Sequence, residues 1–299
     1  MKKIVITGAT SFIGVHLINE LLKYGYDIYA VIRPKSDNRY RLENKMIHIV
    51  ECGLDDINAL IDNLPSSIDV FYHLAWEGAR RPHRDNAEMQ EHNYKVAVEA
   101  FRLAADKKCR TFIGAGSQAE YGKTVGIVTE DYPTSPSTEY GKYKLKACCE
   151  IIRLGKEIGI SVKWPRIFSA YGRYDFEGTL LMSAIEKFSH NDVLEMTRGV
   201  QNWNYLYVRD IAKMLRLIGT TICDDGVYNF ASEDNRLLRD YIVELRDIMH
   251  SKSKINFGAV DINDENVVSF FPNVDKMRMN FPGMKFHSFK DGIKEMMLK

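Results

Sequence analysis

Two kinds of segment alternate along the first two-thirds of the chain. Short, nearly continuous apolar runs predict buried strands at Ile4–Thr7, Tyr26–Ile32, Met46–Val50, Val70–Ala75, Arg110–Ala115 and Ser161–Ile167. The segments between them predict helices at Phe12–Tyr24, Ile57–Asn63, Ala87–Asp106 and Glu139–Ile158. This alternation predicts an α/β fold in which helices cover both faces of a doubly wound parallel sheet.

The pattern loosens after Ile167. It predicts a loop at Tyr171–Leu180 and helices at Leu181–Phe188 and Leu237–Met249. Strand and helix character returns at Tyr205–Leu217 and Val227–Phe230. We therefore expect a large N-terminal domain made of residues 1–165 and about 200–232. A smaller, discontinuous C-terminal domain would comprise about 166–199 and 233–299.

Composition narrows the class of protein and its partners. The chain has 299 residues, of which 45% are hydrophobic and 27% charged, and its net charge is +1. A near-neutral balance predicts neither nucleic acid nor an anionic membrane as a partner. No apolar stretch approaches the roughly 20 residues needed to span a bilayer, so we expect a cytoplasmic protein.

Cysteine usage predicts free thiols and no metal site. The five cysteines are an odd number without metal-ligand spacing, and they lie at Cys52, Cys109, Cys148, Cys149 and Cys223. The adjacent pair falls on a predicted helix, where neighbouring side chains diverge.

A glycine-punctuated turn lies between the first strand and the first helix. Gly8 permits a tight turn, the free N–H groups of the first helical turn can meet a pyrophosphate, and Gly14 permits close packing. Ser11 replaces the expected middle glycine, so it either crowds the phosphate or donates a hydrogen bond to it. The segment predicts dinucleotide binding, although such a segment can also be only a turn. Its candidate contacts are Gly8, Thr10, Ser11, Phe12, Ile13 and Gly14.

The end of the second strand predicts which cofactor is used. An acidic residue there would bind the 2′-hydroxyl of NAD, whereas an arginine accommodates the 2′-phosphate of NADP. Arg33, Lys35 and Ser36 stand here without a carboxylate, so we expect NADP(H), with NAD(H) as the alternative. The same residues could also form a solvated basic loop. Gly53 and Leu54 are further candidate cofactor contacts.

Tyr140 and Lys144 are four residues apart on a predicted helix and therefore share one face. A nearby ammonium favours the phenolate, so we expect the pKa of Tyr140 to be lowered. Ser117 lies upstream. A tyrosine of this kind, after a dinucleotide-binding turn, predicts proton transfer to a carbonyl oxygen that accompanies hydride transfer.

These motifs, in this order, resemble those of the extended short-chain dehydrogenase/reductase family, which includes nucleotide-sugar epimerases, dehydratases and reductases. The similar segments are Thr7–Gly14, Tyr72–Ala75, Ala115–Gly122, Pro136–Lys144 and Arg166–Gly172. The resemblance implies a Rossmann domain as the first domain and a substrate domain as the second. Ser11 and Ser169 depart from the family pattern, which usually has glycine and asparagine there.

The resemblance also implies roles for individual residues. Tyr140 would be the general acid, Lys144 would bind the nicotinamide ribose and lower the pKa of Tyr140, and Ser117 would hydrogen-bond the substrate oxygen. The backbone around Leu74, Ala75 and Ile167 would contact the cofactor. Asn93 matches a position where the family often has asparagine, or is only a surface or capping residue.

Departures from the family's subtypes narrow the reaction. Gln118 and Ala119 stand where 4,6-dehydratases carry Asp and Glu. Ala119 and Tyr174 stand where 3,5-epimerase/4-reductases carry Cys and His. Ketoreduction or C4 epimerisation remains, and Arg33 favours exchangeable NADPH. We therefore expect NADPH-dependent reduction of a nucleotide-linked 4-keto-6-deoxyhexose for surface polysaccharide. An NAD-dependent 4-epimerase is the alternative, and a non-catalytic NADPH sensor is a third possibility.

Substrate binding departs further from the family. Trp203 replaces an arginine that usually grips the diphosphate, and a second family arginine is replaced around Asn263. The candidate contacts with a nucleotide-diphosphate sugar are Gln118, Ser169, Arg173, Gln201 and Trp203. Ala87–Asp106 and Glu139–Ile158 resemble the helices of the family's dimer interface, so we expect a homodimer.

Overall fold

The computed structural model describes residues 1–261 and 268–298. Asn263 lies outside the described residues. The chain divides into two compact units. The first consists of Met1–Gly122, Pro133–Ile167 and Ile211–Tyr228, and the second of Lys123–Tyr132, Phe168–Asp210 and Asn229–Lys299. These bounds differ from the predicted domains in four stretches. Residues 123–132, about 200–210 and 229–232 belong to the second unit, and residues 166–167 belong to the first.

Eight α-helices are found in the described residues. They are α1 (Phe12–Leu22), α2 (Ala87–Asp106), α3 (Glu139–Ile158), α4 (Leu180–His190), α5 (Val208–Thr220), α6 (Leu238–Ile248), α7 (Asp275–Asn280) and α8 (Phe289–Met297). Segments of 3₁₀ helix lie at Arg39–Leu42, Leu54–Asn63, His83–Asp85 and Gln118–Glu120. No helix in this part of the chain combines the length and apolarity that crossing a bilayer requires.

The strands of the first 160 or so residues are β1 (Lys3–Thr7), β2 (Asp27–Ile32), β3 (His48–Glu51), β4 (Val70–His73), β5 (Thr111–Gly114), β6 (Gly116–Ser117), β7 (Ile127–Val128) and β8 (Ser161–Ile167). Those that follow are β9 (Ser169–Tyr171), β10 (Leu194–Met196), β11 (Asn202–Trp203), β12 (Tyr205–Tyr207), β13 (Gly226–Phe230), β14 (Arg236–Leu237), β15 (Ile255–Phe257) and β16 (Phe271–Pro272).

The main sheet has the order β13-β8-β5-β4-β1-β2-β3, and β6 pairs with β8. Neighbouring strands pair in parallel in β1·β2, β2·β3, β1·β4, β4·β5, β5·β8 and β6·β8. Val5 on β1 lies between Tyr29 on β2 and Phe71 on β4. The predicted α/β fold with a doubly wound parallel sheet is confirmed. Strand order reverses at β1, between β2 and β4, and ligands bind beyond the carboxyl ends of strands at such a point.

Apolar strands and helices form the core of the first unit. The rings of Phe71 and Phe112 stack at 5.5 Å, and Phe101 on α2 meets Phe112 edge-on at 5.2 Å. Alanines on the buried face of α2, such as Ala97 and Ala104, are fully buried. Small side chains on this face allow α2 to pack closely against its neighbours.

The second unit has an aromatic core. The ring of Tyr241 contacts Phe289 at 4.9 Å and Tyr205 at 5.1 Å, and Tyr171 contacts Tyr207 at 5.4 Å. Phe289 is the first residue of α8. The sequence pattern predicted no helix after Leu237–Met249, so α7 and α8 were missed.

The predicted helix at Ile57–Asn63 is a 3₁₀ segment, Leu54–Asn63, interrupted at Asp56 (φ −133°, ψ 40°). The five cysteines are free thiols. Within residues 1–261 and 268–298, no group of three or more His, Cys, Asp or Glu side chains is arranged to hold a metal ion.

Candidate active site

In the turn between β1 and α1, the backbone at Gly8 lies close to the backbone at Ala75. Gly8 has φ +69°, and a Cβ at this position would lie 2.8 Å from the Ala75 nitrogen. Ser11 is the N-cap of α1, and its Oγ accepts a hydrogen bond from the Gly14 nitrogen at 3.1 Å. The Ser11 hydroxyl thus stabilises the helix start, and the first turn of α1 contains no acidic residue that would repel an anion.

A larger cavity of about 500 Å³ opens beyond the carboxyl ends of β1, β2, β3 and β4. Among the predicted cofactor contacts, those lining it are Gly8, Thr10, Ser11, Arg33, Gly53, Leu54, Leu74 and Ala75. Ser36 lies beside them, with its Oγ 3.2 Å from the Thr10 Oγ1. A close-approach glycine, a helix N-terminus and a cavity of this size fit a dinucleotide cofactor.

A smaller cavity of about 240 Å³ is lined by Ser117, Tyr140 and Lys144. The other predicted contacts that line it are Ser11, Phe12, Ile13, Leu74 and Ile167. Because Ser11, Leu74 and Trp76 line both cavities, the two adjoin each other. The structure therefore brings the three predicted catalytic side chains together, next to the predicted cofactor site.

Close packing of α3 sets the distance between Ser117 and Tyr140. A Cβ at Gly141 would lie 2.5 Å from the Ala119 oxygen, so only glycine lets α3 approach this turn without a shift. The Ser117 nitrogen donates to Glu120 Oε1 at 2.8 Å, and Ser117 Oγ accepts from the Ala119 nitrogen at 3.2 Å. The serine is thus fixed at a capped turn, and its side chain forms a hydrogen bond with Tyr140.

The environment of Tyr140 keeps its phenol protonated. Burial raises the pKa of Tyr140, whereas the hydrogen bond to Ser117 and the guanidinium groups of Arg84 and Arg80 act in the opposite direction and are outweighed. The expectation that Lys144 lowers the pKa of Tyr140 is not met.

The reason lies in the state of the lysine itself. Lys144 is 4% exposed, and its Nζ donates to the Ala115 oxygen at 2.6 Å. Burial lowers the pKa of Lys144 to about 7, although the Glu120 carboxylate acts to raise it. Its nitrogen lies 5.8 Å from the centre of the Tyr140 ring. A lysine that is only partly charged near neutral pH exerts a weaker field on the phenol.

Trp76, in the loop that follows β4, was missed as part of the site. Trp76 lies over Lys144, with 3.6 Å between Nζ and the centre of the indole ring. Asn93 on α2 is 2% exposed and holds this loop, since its amide donates to the Glu77 oxygen and accepts from the Glu77 nitrogen, both at 2.9 Å. Asn93 is therefore a buried structural clamp. Two features of the sequence pointed to it: the match to a position where the family often has asparagine, and its place on a helix face with other buried residues.

Arg84 was also missed. Its guanidinium carbon lies 5.2 Å from the centre of the Tyr140 ring. Its Nε is buried and has no hydrogen-bond acceptor within the described residues. No local pattern links the loop that carries Arg84 to α3, so the contact is visible only in the fold.

The region around Arg33 and Ser36 contains an acidic side chain as well as the basic ones that the sequence indicated. Arg33 forms an ion pair with Glu77 at 3.1 Å, and both side chains are largely exposed. Arg41 donates from Nη1 to the Thr10 oxygen at 3.2 Å. A carboxylate is thus present, but it comes from the loop after β4 and not from the end of β2.

The candidate substrate residues are divided between the units. Gln118 belongs to the first unit, and Ser169, Arg173, Gln201 and Trp203 belong to the second. Trp203 pairs with Arg236 between β11 and β14, and its ring lies 6.0 Å from that of Phe270. Its buried Nε1 has no acceptor among the described residues. Each of these substrate assignments remains a prediction.

Comparison with known proteins adds independent information. Residues 4–231 match the model of the NAD dependent epimerase/dehydratase family. The chain is 25% identical to CDP-abequose synthase of Salmonella muenchen, over 99% of this chain and 97% of that protein.

Solved structures show the same fold at lower identity. UDP-N-acetylglucosamine 4-epimerase from Methanobrevibacter ruminantium M1 superposes with a TM-score of 0.88 and 19% identity, covering 99% of this chain and 96% of that one. UDP-glucuronic acid 4-epimerase from Bacillus cereus, in complex with UDP-glucuronic acid and NAD, gives 0.81 and 22%, covering 98% and 97%.

Proposed function

The chain belongs to the NAD dependent epimerase/dehydratase family, and from this premise we propose that it uses NADPH to reduce the 4-keto group of a nucleotide-linked 6-deoxyhexose. The product would serve surface-polysaccharide sugar biosynthesis. Membership implies an NAD(P)-dependent enzyme, and the finer assignment of cofactor and substrate is the proposal.

One observation carries the proposal: Ser117, Tyr140 and Lys144 line one cavity that adjoins the larger, dinucleotide-sized one. The cofactor supplies the hydride when it is bound, and Gly8, Ser11 and the first turn of α1 would hold it.

Tyr140 delivers the proton in this scheme. A carbonyl oxygen that accepts a hydride on its carbon gains negative charge, and Ser117 Oγ hydrogen-bonds that oxygen while Tyr140 protonates it. Burial raises the pKa of Tyr140, so the phenol is protonated at neutral pH, which is the form that reduction requires. Oxidation of an alcohol would need the phenolate instead. The protonated phenol can thus act as the acid in a reduction.

The neighbours of Ser117 do not supply other chemistry. Gln118 and Ala119 carry no carboxylate for the elimination of water and no thiol for enolisation. Glu120 is fully buried and is engaged by Ser117, Trp164 and Arg166, so it does not face the substrate. Plain carbonyl reduction needs none of these missing groups.

Three features of the region expected to bind the 2′-phosphate support NADPH as the cofactor. Arg33 lines the larger cavity, Ser36 lies at Thr10, and Arg41 reaches the backbone of the same turn. The 2′-phosphate would compete with Glu77 for Arg33, and it carries more charge than a carboxylate.

A 4-epimerase is the second candidate, and the similarity to two solved 4-epimerases favours it. The same three catalytic side chains would then serve oxidation followed by reduction on the opposite face. A non-catalytic NADPH sensor is disfavoured because such a protein has no need of an aligned tyrosine and lysine. A homodimer formed through α2 and α3 also belongs to the proposal, and sedimentation as a monomer would refute it.

Purified protein mixed with NADPH and a panel of nucleotide-linked 4-keto-6-deoxyhexoses tests the assignment. The proposal expects loss of NADPH absorbance in step with formation of the alcohol. Tightly bound NAD, with interconversion of finished sugars and no net oxidation, would instead establish the epimerase. A protein that binds NADPH but is inert toward every sugar would support the sensor.

A further inference from the structure

We propose that Trp76 is a positioning residue whose indole face holds the ammonium group of Lys144 at the junction of the two cavities. The inference depends on the proposed function only in assuming that Lys144 contacts the bound cofactor. It adds a residue outside the expected set of Ser117, Tyr140 and Lys144.

The geometry around the indole is that of a cation–π contact. Lys144 Nζ lies 3.6 Å from the centre of the Trp76 ring, well inside the range in which such attraction acts. The same indole meets the Tyr140 ring edge-on, with 6.2 Å between ring centres and 89° between planes. Trp76 therefore lies against both Lys144 and Tyr140, and it lines both cavities.

The indole is held in place from α2. Trp76 Nε1 donates to Gln90 Oε1 at 2.8 Å, and Gln90 is fully buried. The Gln90 amide nitrogen donates to the Gly78 oxygen at 2.9 Å and to the His83 oxygen at 3.2 Å. Gln90 thus ties Trp76 to the loop that follows it. A side chain fixed by packing and hydrogen bonds holds its partner more precisely than a free one does.

Lys144 depends on this contact because little else stabilises its charge. It forms no ion pair with any residue that the structure describes, and its one hydrogen bond goes to the Ala115 oxygen. Three other titratable groups face it. Glu120 in the turn after β6 favours its charged form, Tyr140 on α3 is a neutral phenol, and His73 on β4 is kept neutral by burial.

Loss of the indole should therefore change the titration of Lys144 in a defined direction. A cation–π contact stabilises only the protonated amine, so its removal favours the neutral form of Lys144. A contact of this kind corresponds to roughly one pH unit in the titration of the amine. Trp76→Leu should move the loss of ammonium to lower pH, whereas Trp76→Phe keeps an aromatic face and should move it less.

The test is the affinity for NADPH, measured by calorimetry across the neutral pH range without any sugar. Wild type should lose affinity as the pH rises through about 7. Trp76→Leu should lose it roughly one pH unit lower, with Trp76→Phe between the two. Lys144→Met should remove this pH dependence, while Lys142→Met, which removes an exposed lysine of the same helix, should retain it.

Superimposable pH profiles for wild type, Trp76→Leu and Trp76→Phe would overturn the inference. So would an equal loss of affinity at every pH, because that is the behaviour of a residue that only packs. A displaced profile in a protein that reduces no sugar would support the role of Trp76 and refute the proposed function. Turnover with unmoved profiles would do the reverse.

Discussion

The carboxylate of Glu120 lies 2.8 Å from Nε of Arg166, and both side chains are almost completely removed from solvent. The same carboxylate accepts hydrogen bonds from the Ser117 nitrogen at 2.8 Å and from Trp164 Nε1 at 3.0 Å. One buried acid thus joins β8 to the turn that presents Ser117. Because a buried carboxylate is retained only when its oxygens are satisfied, this pair fixes the position of Ser117.

Glu120→Gln should destabilise the protein strongly. The change leaves Arg166 buried without an opposite charge, and breaking one side of a buried pair costs about 3–5 kcal/mol. Urea unfolding measures the loss. Glu157→Gln, which breaks an exposed pair with Arg153 on α3, is the matched control and should change little. Equal unfolding midpoints for the two variants would contradict a structural role for Glu120.

Cofactor preference should respond in opposite directions to two changes. Arg33→Asp should shift preference from NADPH toward NADH, because it removes the cation that would face the 2′-phosphate. Glu77→Gln should strengthen NADPH binding, because it frees Arg33 from its ion pair. Ratios of kcat/KM for NADPH and NADH report both effects. An unchanged ratio in Arg33→Asp would mean that Arg33 does not contact the 2′-phosphate.

Arg84 should control the ionisation of Tyr140. Its guanidinium acts to lower the pKa of Tyr140, so Arg84→Gln should raise that pKa further, and Arg84→Lys should retain part of the effect. Ultraviolet difference absorbance follows phenolate formation, and Tyr140→Phe identifies which part of the signal belongs to this residue. Identical titration in Arg84→Gln and wild type would show that the charge does not act on the phenol.

Much of the fold followed from local signals. The bounds predicted for α2 and α3 are the ones observed, and capping residues stand at these ends: Asn86 and Thr138 before the two helices and Gly159 after α3. The helix α8 was missed although Ser288 caps it, because its apolar stripe is short and its main contacts are with distant aromatic residues.

The residues of the site also divide into those that local motifs predict and those that only the fold reveals. Ser117, Tyr140 and Lys144 could be predicted because an ordered set of short motifs contains them. Trp76 and Arg84 could not, because they reach Lys144 and Tyr140 only through the way one loop lies against α3. The direction of the pKa change at Tyr140 was wrong for a related reason, since burial is a property of the fold and outweighs the neighbouring charges.

His73 should contribute to the sensitivity of the fold to acid. Burial, and the nearby charge of Lys144, lower the pKa of His73 from 6.5 to about 3, and its ring lies 3.0 Å from Thr7 Oγ1. Between these two values the unfolded chain binds a proton that the folded chain does not, so stability falls as the pH drops below about 6.5. Urea midpoints measured from neutral to acid pH should therefore fall less steeply for His73→Asn. His190→Asn removes an exposed histidine of α4 as the control, and parallel slopes for all three proteins would exclude His73.

The most direct test of the account is Tyr140→Phe, which removes one hydroxyl and leaves the ring in place. If Tyr140 donates the proton, NADPH oxidation with the accepted 4-keto sugar should fall by a factor on the order of 10² to 10⁴. NADPH affinity, measured in the same preparation, should stay close to that of wild type. Turnover at the wild-type rate would contradict the role of Tyr140 as proton donor, and loss of cofactor binding would assign the residue to the cofactor site instead.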